Sequence, residues 1–339
     1  MKIHILYKFE QGFQGGGGNQ FLKALKDEWV GLNVYEEKPE KADIILFNSH
    51  QNLKEVFKLK KTFPDKIFIH RIDGPIQAYR PKEKFQDKLI FKVNNFSADG
   101  TVWQSEWSKK ENKKLLPFSS QYQTVVYNAA NSRIFNKDGK KDFNPSSKIK
   151  LVTVSWSKNL LKGFDIYQYL DTHLDFKRYQ MVFVGRSPVE FKNIKMVEPS
   201  LPEKIAEILK QSDIFVFASK VESCSNALIE ALSVGLPCLA FNSSSNPEII
   251  GAGGELFESP KELLGKIDKV AKNYFFYQKN LPVFSLERIA RQYFNFAKQI
   301  FSDTQSGFYF PRQVGVQAAL SFSFSRFVAF LNKAANKFF

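Results

Sequence analysis

The sequence predicts an α/β protein of two doubly wound parallel-sheet domains, and three observations carry that expectation. Short apolar runs alternate with amphipathic helical patterns, the alternation occurs twice, and a polar stretch separates the two series. Strands joined through helices pair in parallel, with helices on both faces of the sheet. A chain of 339 residues has the length for two such domains.

In the first half, strands are expected at KIHILY (2–7), ADIILF (42–47), KIFIH (66–70) and GTVWQ (100–104). A helix is expected over 19–32, where Phe21, Leu25 and Trp29 recur at helical spacing. The second half opens with KIKLVTVSW (148–156) and continues through QMVFVG (180–185), DIFVFA (213–218) and CLAF (238–241). Its helices fall at 159–170, 202–211 and 226–235. Ser200 and Ser259 each stand three residues before a Glu, with Pro202 and Pro260 inside the first turn, so both read as capping boxes. Gly235 stands where a left-handed helix stop is expected. The stretch 136–148, rich in Lys, Asp, Asn, Gly and Ser, reads as the linker. The expected domains are 1–145 and 146–300, followed by a tail, 301–339.

Composition narrows the function classes. Hydrophobic residues make up 43% of the chain and include 35 Phe, enough for two cores. The net charge of +15 attracts anions: nucleic acid, an acidic membrane surface or a phosphorylated small molecule. Nucleic acid is disfavoured, because the surplus is Lys scattered along the chain and no zinc-finger, basic-zipper or RNP pattern occurs. Two cysteines, Cys224 and Cys238, form no CxxC and suggest a reducing compartment. With no apolar span of 18 residues, the expected location is the cytoplasm. The tail mixes Phe, Leu and Val with Arg326, Lys333 and Lys337 and has no acid in its last segment. It reads equally as an amphipathic helix on an anionic inner membrane face and as a helix packed on the protein itself.

The chemistry concentrates in VESCSNALIEALSVGLP, 221–237, where Glu222 and Glu230 stand with seven residues between them around a helix start. Ser223, Cys224, Ser225, Asn226 and Ala227 are small or polar, so backbone N–H groups at the helix N-terminus are approachable by an anion. The two carboxylates then accept hydrogen bonds from hydroxyls on either side of it. A ligand with hydroxyls, a diphosphate and more hydroxyls is a nucleotide sugar. Taken alone, a Glu in a helix is usually solvated surface, and Cys224 reads as a small filler.

The run SKVESCSNALIEALSVGLPCLAFNSSSNPEII, 219–250, resembles the E-x7-E segment of the retaining glycosyltransferases of family 4. Ser219, Glu222, Ser223 to Ser225, Glu230 with Ala231, Gly235 with Pro237, and Pro247-Glu248-Ile249 agree in order and spacing. VVYNAANSRIF is similar to a segment before the linker, keeping Asn128 and Phe135, with Ala129 and Asn131 in place of Gly and Asp. Lys162-Gly163 occupies the position of a basic residue that meets the donor diphosphate. The Arg usual upstream of it is absent, with Lys158 in that region. The glycines at 15–18, with Gly16, Gly17 and Gly18 as donor-side candidates, resemble a Gly-rich loop between the first strand and helix. IHRIDGPIQAYR, 69–80, ends a strand, so His70, Arg71 and Asp73 are acceptor-side candidates, with an Arg–Asp brace of a tight turn as the alternative.

The resemblance implies the GT-B architecture, two Rossmann-like domains facing a cleft, and hexosyl transfer from a UDP- or GDP-linked sugar with retention and without a metal. Glu222 and Lys162 are the implied catalytic residues, Glu222 toward the sugar hydroxyls and Glu230 toward the ribose. The implied acceptor is a saccharide or lipid-linked saccharide in surface polysaccharide or glycoconjugate synthesis. Two alternatives stay open: a sugar-nucleotide epimerase and a non-catalytic sugar-nucleotide binder. A nicotinamide-dependent oxidoreductase is disfavoured by the missing GxGxxG.

Overall fold

The structure is a computed structural model that describes residues 1–10 and 17–315. Gly16 and the expected amphipathic segment beyond 315 lie outside the described residues. In chain order the elements of the first half are β1 (Ile3–Leu6), α1 (Gly17–Gly31), β2 (Ile44–Asn48), α2 (Leu53–Thr62), β3 (Ile67–Ile72), α3 (Ile76–Tyr79), α4 (Phe85–Ser97), β4 (Gly100–Trp103), α5 (Glu106–Leu115) and β5 (Tyr122–Val125). There follow β6 (Ile149–Ser155), α6 (Phe164–His173), β7 (Tyr179–Gly185), β8 (Lys195–Val197), α7 (Pro202–Lys210), β9 (Ile214–Phe217), α8 (Asn226–Ser233), β10 (Cys238–Phe241), α9 (Asn246–Ile250) and β11 (Gly254–Phe257). The last helices are α10 (Pro260–Lys272), α11 (Tyr274–Lys279) and α12 (Leu286–Gln305).

Two compact units result among the described residues: Met1–Phe9 with Leu25–Tyr127 and the described chain from Glu287 to 315, and Glu10 with 17–24 and Asn128–Leu286. The first sheet runs β1-β2-β3-β4-β5, all parallel. Its winding reverses at β1, because Ile3 bridges Tyr35 in parallel while Lys2 O accepts from the Ile44 amide on the opposite side. Strands β1 to β4 are buried at every position, as expected of a parallel sheet covered on both faces.

Part of that cover is α12. The Trp29 indole donates to Ala290 O at 3.3 Å, and Arg71 Nε donates to the Tyr293 hydroxyl at 3.1 Å. A Cβ on Gly100 would stand 2.6 Å from Ile300, so this helix rests directly on β4. Residues 287–300, expected in the second domain, therefore pack on the first sheet. Asp99 ties down the following segment: it accepts from Lys60 Nζ (3.1 Å), the Phe68 amide (2.7 Å), the Tyr309 hydroxyl (2.8 Å) and the Arg312 amide (2.7 Å).

The second sheet runs β11-β10-β9-β6-β7-β8, all parallel, and its order reverses between β6 and β9. Its core joins β6, β7, β9 and β10 with α6, α10 and α11 through Leu151, Phe183, Val216, Leu239, Tyr167, Ile267 and Tyr274. The expected linker is part of this unit: Phe143 stacks on Tyr274 at 4.0 Å and the Lys141 amide donates to Lys210 O. An aromatic side chain in a polar stretch was enough to anchor it.

Capping follows the sequence at one helix and departs from it at another. Ser259 accepts from the Glu262 amide at 3.2 Å, and Gly235, at φ 94°, ends the α8 region. Ser200 does not cap α7; Leu201 is the N-cap, Pro202 follows, and the Ser200 hydroxyl donates to Glu198 O. With Leu201 at the N-cap, Pro202 takes the first helical position, where its missing N–H costs no hydrogen bond.

Candidate functional site

In open parallel sheets, ligands bind beyond the carboxyl ends of the strands where the order reverses. In the second unit that place lies between the loop after β6 and the loop after β9. The two loops touch backbone to backbone: a Cβ on Gly163, at φ 80°, would stand 2.2 Å from Ala218 O. Only glycine fits there. Asn159 Oδ1 accepts from the Leu161 amide at 3.0 Å, and the Lys220 amide donates to Leu161 O at 2.7 Å, which fixes the turn carrying Lys162.

Held this way, Lys162 Nζ meets Glu222 Oε1 at 2.5 Å, and the Ser219 hydroxyl donates to the same oxygen at 2.6 Å. Both side chains keep an exposed fraction, 28% for Lys162 and 15% for Glu222, so the pair is accessible from solvent. Glu222 is steadied through its main chain: its amide donates to the Ser244 hydroxyl at 2.9 Å, and its carbonyl accepts from the Ser245 amide.

Helix α8 starts beside this pair. Ser225 caps it by accepting from the Leu228 amide at 3.3 Å. Among the described residues, the amides of Asn226 and Ala227 have no protein acceptor, as first-turn donors of a helix do not. Leu228, Ile229, Ala231 and Leu232 are buried, while Asn226, Ala227 and Glu230 are half-buried, so the helix start and Glu230 share the open stripe. The Glu230 carboxyl has no hydrogen bond or ion pair among the described residues. The protein around it pushes its pKa up from 4.5 to about 7. A carboxylate held back from water with no partner is an acceptor waiting for a donor.

Asn128 organises the approach to the helix. Its side-chain amide donates to Cys224 O (3.0 Å) and Asn226 Oδ1 (2.7 Å), and its main-chain amide meets Cys224 Sγ at 3.3 Å. Cys224 is buried here, a packing residue with a polar neighbour. Asn226 Nδ2 in turn donates to Gly17 O at 2.5 Å. Gly17 and Gly18, expected in a loop, form the first turn of α1. A Cβ on Gly17 would stand 3.1 Å from the Asn226 side chain. Ser223 belongs to the same loop and is half-buried; Lys158 is exposed at the end of β6.

The remaining candidates are in the first unit and are more enclosed than the sequence suggested. His70 is fully buried on β3: Nε2 is 2.9 Å from Ser49 O, Nδ1 is 3.2 Å from Asn94 Nδ2, and the ring stacks on Phe47 at 4.2 Å. Burial lowers its pKa to about 3, so it is a neutral core residue and not a base facing a ligand. Arg71 is also fully buried, held by Tyr293, Asn48 and Asp73. Asp73 alone of the three is partly exposed, at 28%, and it accepts from Gln104. Strand β3 is central, and cover on both faces extends to its last residues.

The sequence carries no local sign of one further residue at this strand end. Arg186 follows β7, and its guanidinium lies 5.2 Å from the centre of the Trp156 ring. The signal was the register that pairs Ser155 with Gly185, which no sequence pattern prints. Among the described residues, no group of three or more His, Cys, Asp or Glu is placed to hold a metal ion, and no helix is long and apolar enough to cross a membrane.

Comparison with known proteins bears on the segment around this site and on the fold. Residues 177–281, which include Glu222 and Glu230, match the family model described as glycosyl transferases group 1. N-acetyl-alpha-D-glucosaminyl L-malate synthase of Bacillus anthracis is 28% identical over 162 residues, 42% of this chain and 41% of that one. A putative colanic acid biosynthesis glycosyl transferase of Escherichia coli, WcaC, is 28% identical over 107 residues, 29% of this chain and 26% of that one. The chain thus spans less than half the length of these curated relatives. Among solved structures, sucrose-phosphate synthase of Thermosynechococcus elongatus superposes with a TM-score of 0.68 at 14% identity, covering 89% of this chain and 100% of that one. HepE of Anabaena, solved in complex with UDP-glucose, gives 0.64 at 13% identity, covering 90% and 100%. The fold is that of the GT-B glycosyltransferases, built of two parallel-sheet α/β units.

Proposed function

We propose that this chain is a group 1 glycosyltransferase that moves a hexosyl group from a UDP- or GDP-linked donor to a saccharide or lipid-linked saccharide, with retention at the anomeric carbon. The observation that carries this reading is the Lys162–Glu222 pair at the strand reversal of the second sheet, beside a helix start whose open stripe bears Glu230. The relatives named for glycosyl transfer and the HepE complex with UDP-glucose support it.

Breaking the bond from the anomeric carbon to the diphosphate leaves the electron pair on oxygen, so the site must stabilise growing negative charge. Preorganised donors do this with little reorganisation. The unpaired amides of Asn226 and Ala227 and the positive end of α8 supply such donors. Lys162 supplies a full charge beside the carboxylate that receives the sugar hydroxyls. Glu222, already accepting from Ser219 and Lys162 on one oxygen, has its other oxygen for the sugar. Glu230 receives the ribose hydroxyls. The charge-stabilising groups in this reading are the protein's own, and no metal is assigned a role.

A panel of nucleotide sugars screened for thermal stabilisation identifies the donor, since a ligand at 100 times its Kd adds about 2.7 kcal/mol. Transfer to a saccharide acceptor, with the product's anomeric configuration read by NMR, then tests retention. Binding without transfer to any acceptor makes the chain a sugar-nucleotide binder; an altered donor sugar without acceptor makes it an epimerase.

A further inference from the structure

The cations of the loops at this sheet edge are unequally compensated. Lys162 lies on Glu222 at 2.5 Å, and Lys220 lies on Asp165 at 2.8 Å. Lys158 and Arg186 have no carboxylate partner among the described residues. The uncompensated positive charge thus sits beyond β6 and β7, at the strand end next to the order reversal.

Backbone geometry brings these residues together. Gly185 has φ 121°, and a Cβ there would stand 2.0 Å from Ser155 O. The Arg186 amide donates to the same carbonyl at 2.9 Å. Trp156 and Arg186 therefore leave adjacent strands side by side, and the guanidinium settles 5.2 Å from the indole centre. With Ser157 and Lys158 they line an open cavity of about 560 Å³. That is within the usual range for a small-molecule site. The indole face orients a planar cation and limits its rotamers, which leaves a preformed fork for a phosphate.

We infer that Arg186, seated on Trp156 and joined by Lys158, is a phosphate-binding arm of the donor site, holding the diphosphate together with Lys162 while Glu222 addresses the sugar. The inference rests on the transferase reading and adds Arg186 and Trp156 to it, with Trp156 as the positioning residue. A guanidinium from the strand after β6 thus supplies charge that the loop after β6 supplies only through Lys158.

Titration calorimetry with UDP, GDP, ADP, uridine and inorganic pyrophosphate separates the possibilities. Arg186 is exposed, so its replacement leaves the core untouched. The Arg186→Ala variant is expected to bind the preferred nucleoside diphosphate and pyrophosphate about 10- to 100-fold more weakly, with uridine affinity unchanged. Arg186→Lys recovers part of the loss, because it keeps the charge without the fork. Trp156→Leu weakens diphosphate binding less than Arg186→Ala and flattens the difference between Arg and Lys at 186. Unchanged diphosphate affinity in Arg186→Ala overturns the inference alone, as does an equal loss for uridine. A wild-type protein that binds none of the three diphosphates overturns the transferase reading and this inference with it.

Discussion

Replacing Glu230 by Gln should stabilise the ligand-free second unit above pH 7 and change little near pH 4.5. Burial without a partner raises this carboxyl from 4.5 to about 7, so the folded state keeps its proton to higher pH than the unfolded chain does. Unfolded protein then binds fewer protons than folded protein between those values, and stability falls as pH rises through them. At about 1.4 kcal/mol per pH unit the full effect is roughly 3 kcal/mol, and the residual hydration of a half-buried group reduces it to about 1–3 kcal/mol. A neutral amide of the same shape removes that penalty. Urea unfolding of both proteins at pH 5 and pH 8 measures it, with the gain of about 1–3 kcal/mol expected at the higher pH alone. The same variant should bind nucleoside diphosphate less tightly, because a charged acceptor has become a neutral one. Stability and binding moving in opposite directions is the mark of a group held for a ligand. Equal stability changes at both pH values, or destabilisation at pH 8, would refute the reasoning.

Three further outcomes follow from the same geometry. Glu222→Gln should lower transfer by about 100-fold or more while the circular dichroism spectrum is retained, and wild-type turnover in that variant removes Glu222 from the mechanism. Asp99→Asn leaves Lys60, whose ammonium is fully buried, without its counter-charge. The expected cost is about 3–5 kcal/mol in chemical denaturation, and a loss below 1 kcal/mol would mean that the pair is not the anchor of the 306–315 segment. His70, lowered to about 3 by burial, gives stability that is complete above its unfolded value near 6.5 and erodes as pH falls toward 3. Its imidazole NMR signals should show no titration between pH 5 and 8; a midpoint in that range contradicts a neutral core histidine.

The site was partly legible because some of its geometry is local. Glu222, the small residues 223–227 and Glu230 lie on one loop and helix, where spacing alone sets which groups share a face. Lys162 was placed by its resemblance to a motif, and the structure sets it against Glu222, 60 residues away. Arg186 was invisible, since nothing in its own neighbourhood distinguishes it until strand register sets it on Trp156. His70 and Arg71 stand at a strand end, and the sequence carries no record that α12 reaches Arg71 or that Ser49 and Asn94 close over His70.

Strand and helix type, the two-unit α/β organisation and the helix start between Glu222 and Glu230 were determined by the sequence itself, because hydrophobic period and turn chemistry act over a few residues. Tertiary structure decided what depends on distant chain: that 287–300 pack on the first sheet, that 136–148 pack in the second unit, and which cations remain unpaired. Those outcomes turn on contacts between residues tens to hundreds of positions apart, and no local preference encodes such pairings.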